Sequence, residues 1–347
     1  MDLVVTTLAA IESAVEKQGN QGGGFRPHLG ASIIGDPCER KLWYSFRWVT
    51  RQNHDARLLR LFARGQREEQ TFIDLLRLAG IEVFDRDPKT GKQFTFSAIG
   101  GHFGGSMDAV VRGLVESNKW HVAEFKTSNA KSFRDLADKG VEMSKPLHYA
   151  QMQCYMTWGN MDAAYYMAVN KDDDTLHAER ITLKKTVANS LFEKAERIIA
   201  SDKPPAGISD NGTYYLCKFC EHSDTCHGEK VAEVNCRTCI HATPEMDGQG
   251  RWSCAKHKKD LSVDDQAKAC DRHRFIPSLI PFAEAINADD KGETITYQTA
   301  KGSIFHNGPK GVCSYPSLEL RNVTPDLVAD KNVNQLRQHY DAWTVAP

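Results

Sequence analysis

Gly104-Gly105-Ser106-Met107-Asp108-Ala109-Val110-Val111, followed after Glu116-Ser117-Asn118-Lys119 by His121-Val122-Ala123-Glu124-Phe125-Lys126, is the stretch whose reading decides the fold. Both runs are short, apolar or β-branched in alternation, and joined by turn-forming residues, the pattern of a β-hairpin. Side chains alternate along a strand, so Glu124 and Lys126 project from one face, roughly 7 Å apart at their α-carbons. A hairpin centred near Ser117-Asn118 sets Asp108 opposite residues 125–127. Two carboxylates that meet at a strand pair beside a lysine make a hard-oxygen site for magnesium or manganese. Phosphodiester hydrolysis needs such a set, with a metal to activate water and neutralise phosphoryl charge and a lysine to orient that water. A Glu-x-Lys strand alone is equally an ordinary ion pair, so the surrounding residues decide its meaning.

Upstream, residues 55–78 read as a helix whose apolar positions Leu58, Phe62, Phe72 and Leu76 share a face with Gly65 and Glu69. A glutamate on an apolar stripe is costly unless paired or coordinated, which makes Glu69 a third carboxylate candidate. Arg57, Arg60, Arg64 and Arg67 cluster on the roughly opposite side. They read first as a solvated face and second, with Arg47 and Arg51, as a phosphate-tracking patch. A helix over 4–18, a flexible break over 18–24 and a helix from Cys38 through Phe46 precede them. Trp43, Tyr44 and Phe46 in that helix suit either base stacking or core packing.

Short strands are expected at 81–84, 94–96, 163–169 and 176–183, the last two flanking an acidic turn at 171–174. Pro146 opens a helix over 145–158, with Gln151 and Tyr155 on one face. A helix over 191–199 ends before Pro204-Pro205. Beyond Arg274 the pattern gives loop, a hairpin near 294–305 and a helix around 333–343.

Seven of the ten cysteines fall between 217 and 270, too dense for core packing. Cys236-x2-Cys239-x14-Cys254-x15-Cys270 suits a self-contained tetrahedral zinc site. Cys217-x2-Cys220-x5-Cys226 needs a fourth ligand, and His222, His227 and the isolated Cys38 are the candidates. Cys38 is favoured, because four thiolates with one remote member suit a 4Fe-4S cluster, although zinc accepts the same set. Either metal would staple the fold. Cys154 and Cys313 read as ordinary thiols.

The chain has 347 residues, 41 % hydrophobic and 26 % charged, which excludes a miniprotein held only by staples. No apolar run reaches the roughly 18 residues that cross a bilayer, and the N-terminus lacks the basic start of a signal peptide, so a cytoplasmic location without membrane contact is expected. A net charge of -1 gives no global positive field, so nucleic-acid binding would need a local patch.

Taken in order, Gly65-x3-Glu69, Gly105-x2-Asp108, Glu124-x-Lys126 and Gln151-x3-Tyr155, enclosed by Cys38 and Cys217-x2-Cys220-x5-Cys226, resemble the PD-(D/E)XK nucleases of the RecB-like branch. The cysteines resemble the iron-sulfur staple of members such as the CRISPR adaptation nuclease and the AddB-type subunit. The resemblance covers about residues 30–228. It implies an α/β, restriction-endonuclease-like mixed sheet flanked by helices, with a cysteine-rich module C-terminal to it. The implied layout is a nuclease domain over 1–230, a zinc module over 231–275 and an extension over 276–347. By resemblance, Asp108, Glu124 and the Phe125 carbonyl bind Mg or Mn, Lys126 acts on water, and Gln151 and Tyr155 contact the DNA strand. Glu69 stands where many members carry histidine and would bind the metal directly or through water; His102 is too near the glycine loop to replace it. The implied activity is a metal-dependent deoxyribonuclease, an exonuclease on single-stranded or frayed ends in recombination, repair or mobile-element or phage replication, with DNA and a recombination, repair or replication protein as partners. The alternative is a non-catalytic DNA-binding scaffold on a degenerate nuclease fold; a zinc-module regulator ranks last.

Overall fold

The computed structural model describes residues 2–21 and 25–345, with side chains from residue 7 onward, so part of the expected flexible break lies outside the described residues. The first helices are α1 (Asp2–Gly19), α2 (Glu39–Phe46) and α3 (Ala56–Leu78), with a two-residue strand β1 (Leu29–Gly30) between the first two. Asp55 caps α3 by accepting the Leu58 N–H at 2.6 Å, which satisfies one of the orphan donors of its first turn. Strands β2 (Glu82–Phe84), β3 (Thr95–Ala98), β4 (Phe103–Ser106), β5 (Ala109–Arg112) and β6 (His121–Ser128) follow. Helices α4 (Ala130–Ser144) and α5 (Pro146–Trp158), strands β7 (Ala163–Asn170) and β8 (Leu176–Thr182), and helix α6 (Lys185–Ala200) complete the first part.

The central sheet has the order β2-β5-β6-β7-β8, with β6 and β7 parallel and the other neighbours antiparallel. On one face α3 lays Phe72, Ile73 and Leu76 over Ala109, Val111, Ala123 and Phe125. On the other face α4 and α5 pack against β6 and β7. Covered on both sides, the first five residues of β6 are all buried, which explains why the run reads as almost continuously apolar. A second small sheet, β1-β4-β3, sits beside it.

The β5–β6 register pairs Ala109 with Ala123 and Val111 with His121. The hairpin therefore centres near Glu116, and Asp108 falls beside Glu124 and not opposite 125–127, because the turn closes one residue early. The apolar stripe of α3 also differs from expectation. Only its C-terminal half is buried, and Phe62 is 47 % exposed, because the N-terminal half runs past the sheet, where α1 packs against the helix. Trp43, Tyr44 and Phe46 are all buried in the main core, so base stacking by them is excluded by packing. Arg57, Arg60, Arg64 and Arg67 are exposed, as a solvated face requires, but Arg47 is buried and leaves the basic patch.

After α6 the chain makes α7 (Tyr215–Lys218), α8 (Ser223–Cys226), β9 (Ala242–Pro244), β10 (Trp252–Cys254), β11 (Lys259–Leu261) and α9 (Val263–Lys268). The tail is more ordered than expected. It forms a four-stranded sheet of β12 (Ala283–Ala288), β13 (Ile295–Thr299), β14 (Ile304–Asn307) and β15 (Ser314–Tyr315), then α10 (Ser317–Leu320), α11 (Pro325–Ala329) and α12 (Lys331–His339). Strand β12 reads Ala-Glu-Ala-Ile-Asn-Ala, with Ile286 as its one large apolar residue, so no apolar alternation marked it. One core runs from Leu29 through Trp252 to Val328 without a break at 230 or 275. No described helix is long and apolar enough to cross a membrane.

Arg237 joins the cysteine-rich segment to the N-terminal layer. Its guanidinium lies 3.8 Å from the Trp48 ring centroid and 4.7 Å from that of Trp252. It donates to Phe46 O at 3.0 Å, Pro27 O at 2.8 Å and Gln266 Oε1 at 2.8 Å. Arg237→Ala leaves two carbonyls and an amide without their donor in a buried site, and we expect a stability loss on the order of 3 kcal/mol, measured by urea unfolding. A loss below about 1 kcal/mol would mean that the seam is held elsewhere.

Candidate active site and cysteine clusters

Asp108 stands just before β5, and its Oδ2 accepts the Phe125 N–H at 2.8 Å. That bond fixes the first carboxylate to the β6 backbone. Glu124 has no solvent exposure and is gripped on both oxygens: Lys126 Nζ donates to Oε1, and Gln151 Nε2 donates to Oε2 at 3.3 Å. Lys126 also donates to Phe125 O at 3.1 Å. Gln151 Nε2 lies 3.3 Å from the Tyr155 hydroxyl, which accepts from it. A Cβ at Gly105 would come within 2.6 Å of that hydroxyl, so only glycine lets β4 close on Tyr155.

Gln151 and Tyr155, expected beside the DNA strand, are buried behind Glu124. They are i, i+4 neighbours on α5, and their bonds run inward to Glu124. Glu69 is half-buried and lines a cleft of about 290 Å³ between α3 and β6, with Phe62, Gly65 and Lys126. His102 is fully buried, its Nε2 2.9 Å from Glu245 O, and so belongs to the core.

Two residues near the site carried no reading in the sequence. Tyr166 of β7 pairs in register with Glu124, and His148 of α5 places Nδ1 3.0 Å from the Tyr166 hydroxyl. His148 lies three positions before Gln151, a helix-face spacing that could have flagged it.

Burial raises the Glu124 carboxyl to about 8, with Asp108 and Glu69 adding to the effect and Lys126 opposing it. Burial also raises Glu69, again with Asp108. Burial works against the charge of Lys126, yet Glu124 and Asp108 hold it above the usual lysine range. Three carboxyl groups thus crowd one ammonium, and burial with mutual repulsion holds Glu124 toward its neutral form, which a divalent cation would reverse. Among the described residues, no three His, Cys, Asp or Glu side chains are arranged to hold a metal ion. The oxygens on hand are those of the Asp108 and Glu124 carboxyls and the Phe125 carbonyl, with Glu69 facing Lys126 across the cleft. That donor chemistry fits magnesium or manganese.

A carboxyl raised in the folded state favours the fold below its unfolded value, and this contribution is lost as pH rises through about 8. A cation must displace the Glu124 proton at neutral pH. Calorimetric titration of Mn²⁺ at pH 7 should show release of nearly one proton, read from the dependence of heat on buffer ionisation, and Glu124→Gln should abolish it. Buffer-independent heat in the wild type would contradict this assignment.

Cys38, Cys217, Cys220 and Cys226 line one cavity of about 50 Å³, with His222 and His227 beside them. All three candidates for the fourth position are therefore brought to the other cysteines. Arg40 Nη1 reaches Cys226 Sγ at 3.5 Å, and the Cys38 N–H is held by Asp36 Oδ1 at 2.9 Å. His222 points Nε2 at Ser45 Oγ, 3.1 Å away, and its buried Nδ1 has no partner. Cys236, Cys239, Cys254 and Cys270 line a second cavity of about 200 Å³. Burial pushes Cys236 up to about 12 and Cys239 up to about 11. The exposed Cys270 places Sγ 3.4 Å from His257 Nε2. The thiol donor sets fit thiophilic metals, although neither is drawn into a finished ligand arrangement. Cys154 lies in the core and Cys313 is partly exposed, apart from both groups.

No protein-family description and no curated protein matches the chain. Among solved structures, the crystal structure of SSO0001 is 15 % identical with a TM-score of 0.37, over 62 % of this chain and 94 % of that one. An alkaline exonuclease, LHK-Exo, from Laribacter hongkongensis is 17 % identical with a TM-score of 0.36, over 54 % and 91 %. The same exonuclease in complex with dAMP is 15 % identical with a TM-score of 0.35, over 50 % and 87 %.

Proposed function

We propose that the chain is a metal-dependent DNA nuclease of RecB-like PD-(D/E)XK type, an exonuclease that hydrolyses phosphodiester bonds at single-stranded or frayed ends during recombination, repair or mobile-element replication. The observation that carries this reading is the convergence of Asp108, the buried Glu124 and Lys126 where β5 and β6 meet. A DNA-binding scaffold has no need of a desolvated carboxylate held between a lysine and a glutamine.

Asp108, Glu124 and the Phe125 carbonyl would hold Mg²⁺ or Mn²⁺, with Glu69 facing them from the cleft. When bound, the metal supplies positive charge against the phosphoryl oxygens and makes water acidic enough to attack. Lys126 is kept protonated by its carboxylate neighbours, so it orients the attacking water and offsets charge on the phosphate. Gln151 occupies the second oxygen of Glu124 and fixes the carboxylate plane, and Tyr155 accepts from Gln151 in a site closed to solvent. These are positioning roles.

The test is cleavage of end-labelled single- and double-stranded DNA by anaerobically purified protein in manganese, magnesium or chelator. We expect metal-dependent products whose rate falls at least about a hundredfold in Glu124→Ala. Binding that persists in chelator without any cleavage in metal would replace the nuclease reading with the scaffold.

We further propose that Cys38, Cys217, Cys220 and Cys226 hold a 4Fe-4S cluster and that Cys236, Cys239, Cys254 and Cys270 hold zinc. Each set lining one cavity supports this. Elemental analysis should find about four irons and one zinc per chain, and Cys38→Ala should lose the visible absorbance together with the iron. Full absorbance in that variant would sink the assignment of Cys38.

A further inference from the structure

We propose that His148 is a substrate-contacting residue of this site, an uncharged Nε2–H donor to a non-bridging oxygen of the DNA phosphate held near Lys126. The inference rests on the nuclease reading of the same site and names a contact that the motif residues do not supply.

The placement comes from two directions. On α5, His148, Gln151 and Tyr155 fall at i, i+3 and i+7, one stripe of the helix. Gln151 and Tyr155 are buried at the closed end of that stripe, against Glu124, whereas His148 is partly exposed at its open end. Across the sheet, Tyr166 stands beside Glu124 in the parallel β6–β7 register, about one strand spacing away. The Tyr166 ring stacks on His148 with centroids 5.8 Å apart.

The hydrogen bond fixes the imidazole's chemistry. Tyr166 is fully buried, and burial raises its hydroxyl above the usual phenol range, so it stays protonated. Among the described residues its hydroxyl has one hydrogen-bond partner, His148 Nδ1 at 3.0 Å. A buried hydroxyl must place its proton somewhere. The phenol donates to Nδ1, which leaves the imidazole proton on Nε2. Among the described residues no group accepts from Nε2, so the donor is left for a ligand.

The surroundings favour an anion there. Burial, then the charges of Lys126 and Lys145, push His148 down to about 3, so it remains neutral while two ammonium groups maintain a positive potential around it. Lys145 Nζ is held in place by Ser132, at 3.1 Å from its carbonyl and 2.6 Å from its hydroxyl. The first turn of α5, where His148 lies, also directs N–H groups without i−4 partners toward the same end. An uncharged donor suits this position because it can engage a phosphate oxygen without forming an ion pair with Asp108 or Glu124.

The test compares wild type, His148→Ala, His148→Gln and Tyr166→Phe, with all four checked for unchanged circular dichroism and Mn²⁺ affinity. We expect His148→Ala to lower kcat/KM about ten- to a hundredfold, the span of a hydrogen bond to a charged group. His148→Gln, which can offer an amide N–H, should recover part of that loss, and Tyr166→Phe should lose less than His148→Ala. The decisive readout is a methylphosphonate scan of single-stranded DNA binding in chelator. One neutralised linkage should weaken wild-type binding and leave His148→Ala unaffected. If wild type cleaves, a His148→Ala protein within about twofold of it, with the same methylphosphonate penalties throughout, overturns the contact. If wild type does not cleave but the linkage-specific difference persists, the nuclease reading falls and the phosphate contact stands.

Discussion

The carboxyl group of Glu124 is sealed from water, and a charged carboxylate in such a place is among the most expensive groups a protein can carry. The surrounding structure answers that cost with specific partners. Lys126 takes one oxygen and Gln151 the other, Asp108 is tied to the Phe125 backbone, and Gly105 gives up a side chain so that Tyr155 can stand behind Gln151. Glu124 is fully buried, so its carboxyl has little access to water as a substitute partner. A group held in this way stays poised between its protonated and charged forms, the condition in which a cation gains most by arriving.

A different kind of buried charge holds the cysteine-rich segment. Among the described residues, neither Arg47 nor Arg237 forms an ion pair. Their guanidiniums are placed over Trp43, Trp48 and Trp252 and bonded to backbone carbonyls and an amide. Burial lowers both, Arg47 to about 10. Aromatic faces and carbonyl dipoles stand in for carboxylates here. Arginine suits the position better than lysine, because its planar head can stack and donate in several directions at once.

The central hairpin, α3, α5 and the carboxylate-lysine group were legible in the sequence because each carries a period or a turn signal at short range. Glu124 and Lys126 needed only strand alternation. What escaped depends on distance along the chain. The one-residue placement of Asp108 is set by where the turn closes, which local composition does not dictate. Helix α4, with its break at Gly140, is shaped by Glu179 Oε2, which accepts the Val141 N–H at 2.8 Å. Strand β12 has no apolar alternation and exists because β13 is there to pair with it. Arg47 and the aromatic run beside it were ambiguous because a charged or aromatic residue looks the same in sequence whether a partner segment about 190 positions later covers it or not.

The glycines at 100 and 101 bring the cysteine-rich segment into this picture. Gly250 N–H donates to Gly100 O at 2.8 Å, and a Cβ at Gly101 would lie 2.2 Å from Gly250 N. From that contact the chain continues directly into β4, whose Gly105 supports Tyr155. The loop before β10 therefore acts as a keystone for a strand of the motif-bearing part. Trimming the chain to the part that carries the recognisable motifs would leave every motif residue present and remove the buttress behind one of them. The boundary of the working unit is set by this backbone contact and lies well beyond the last motif.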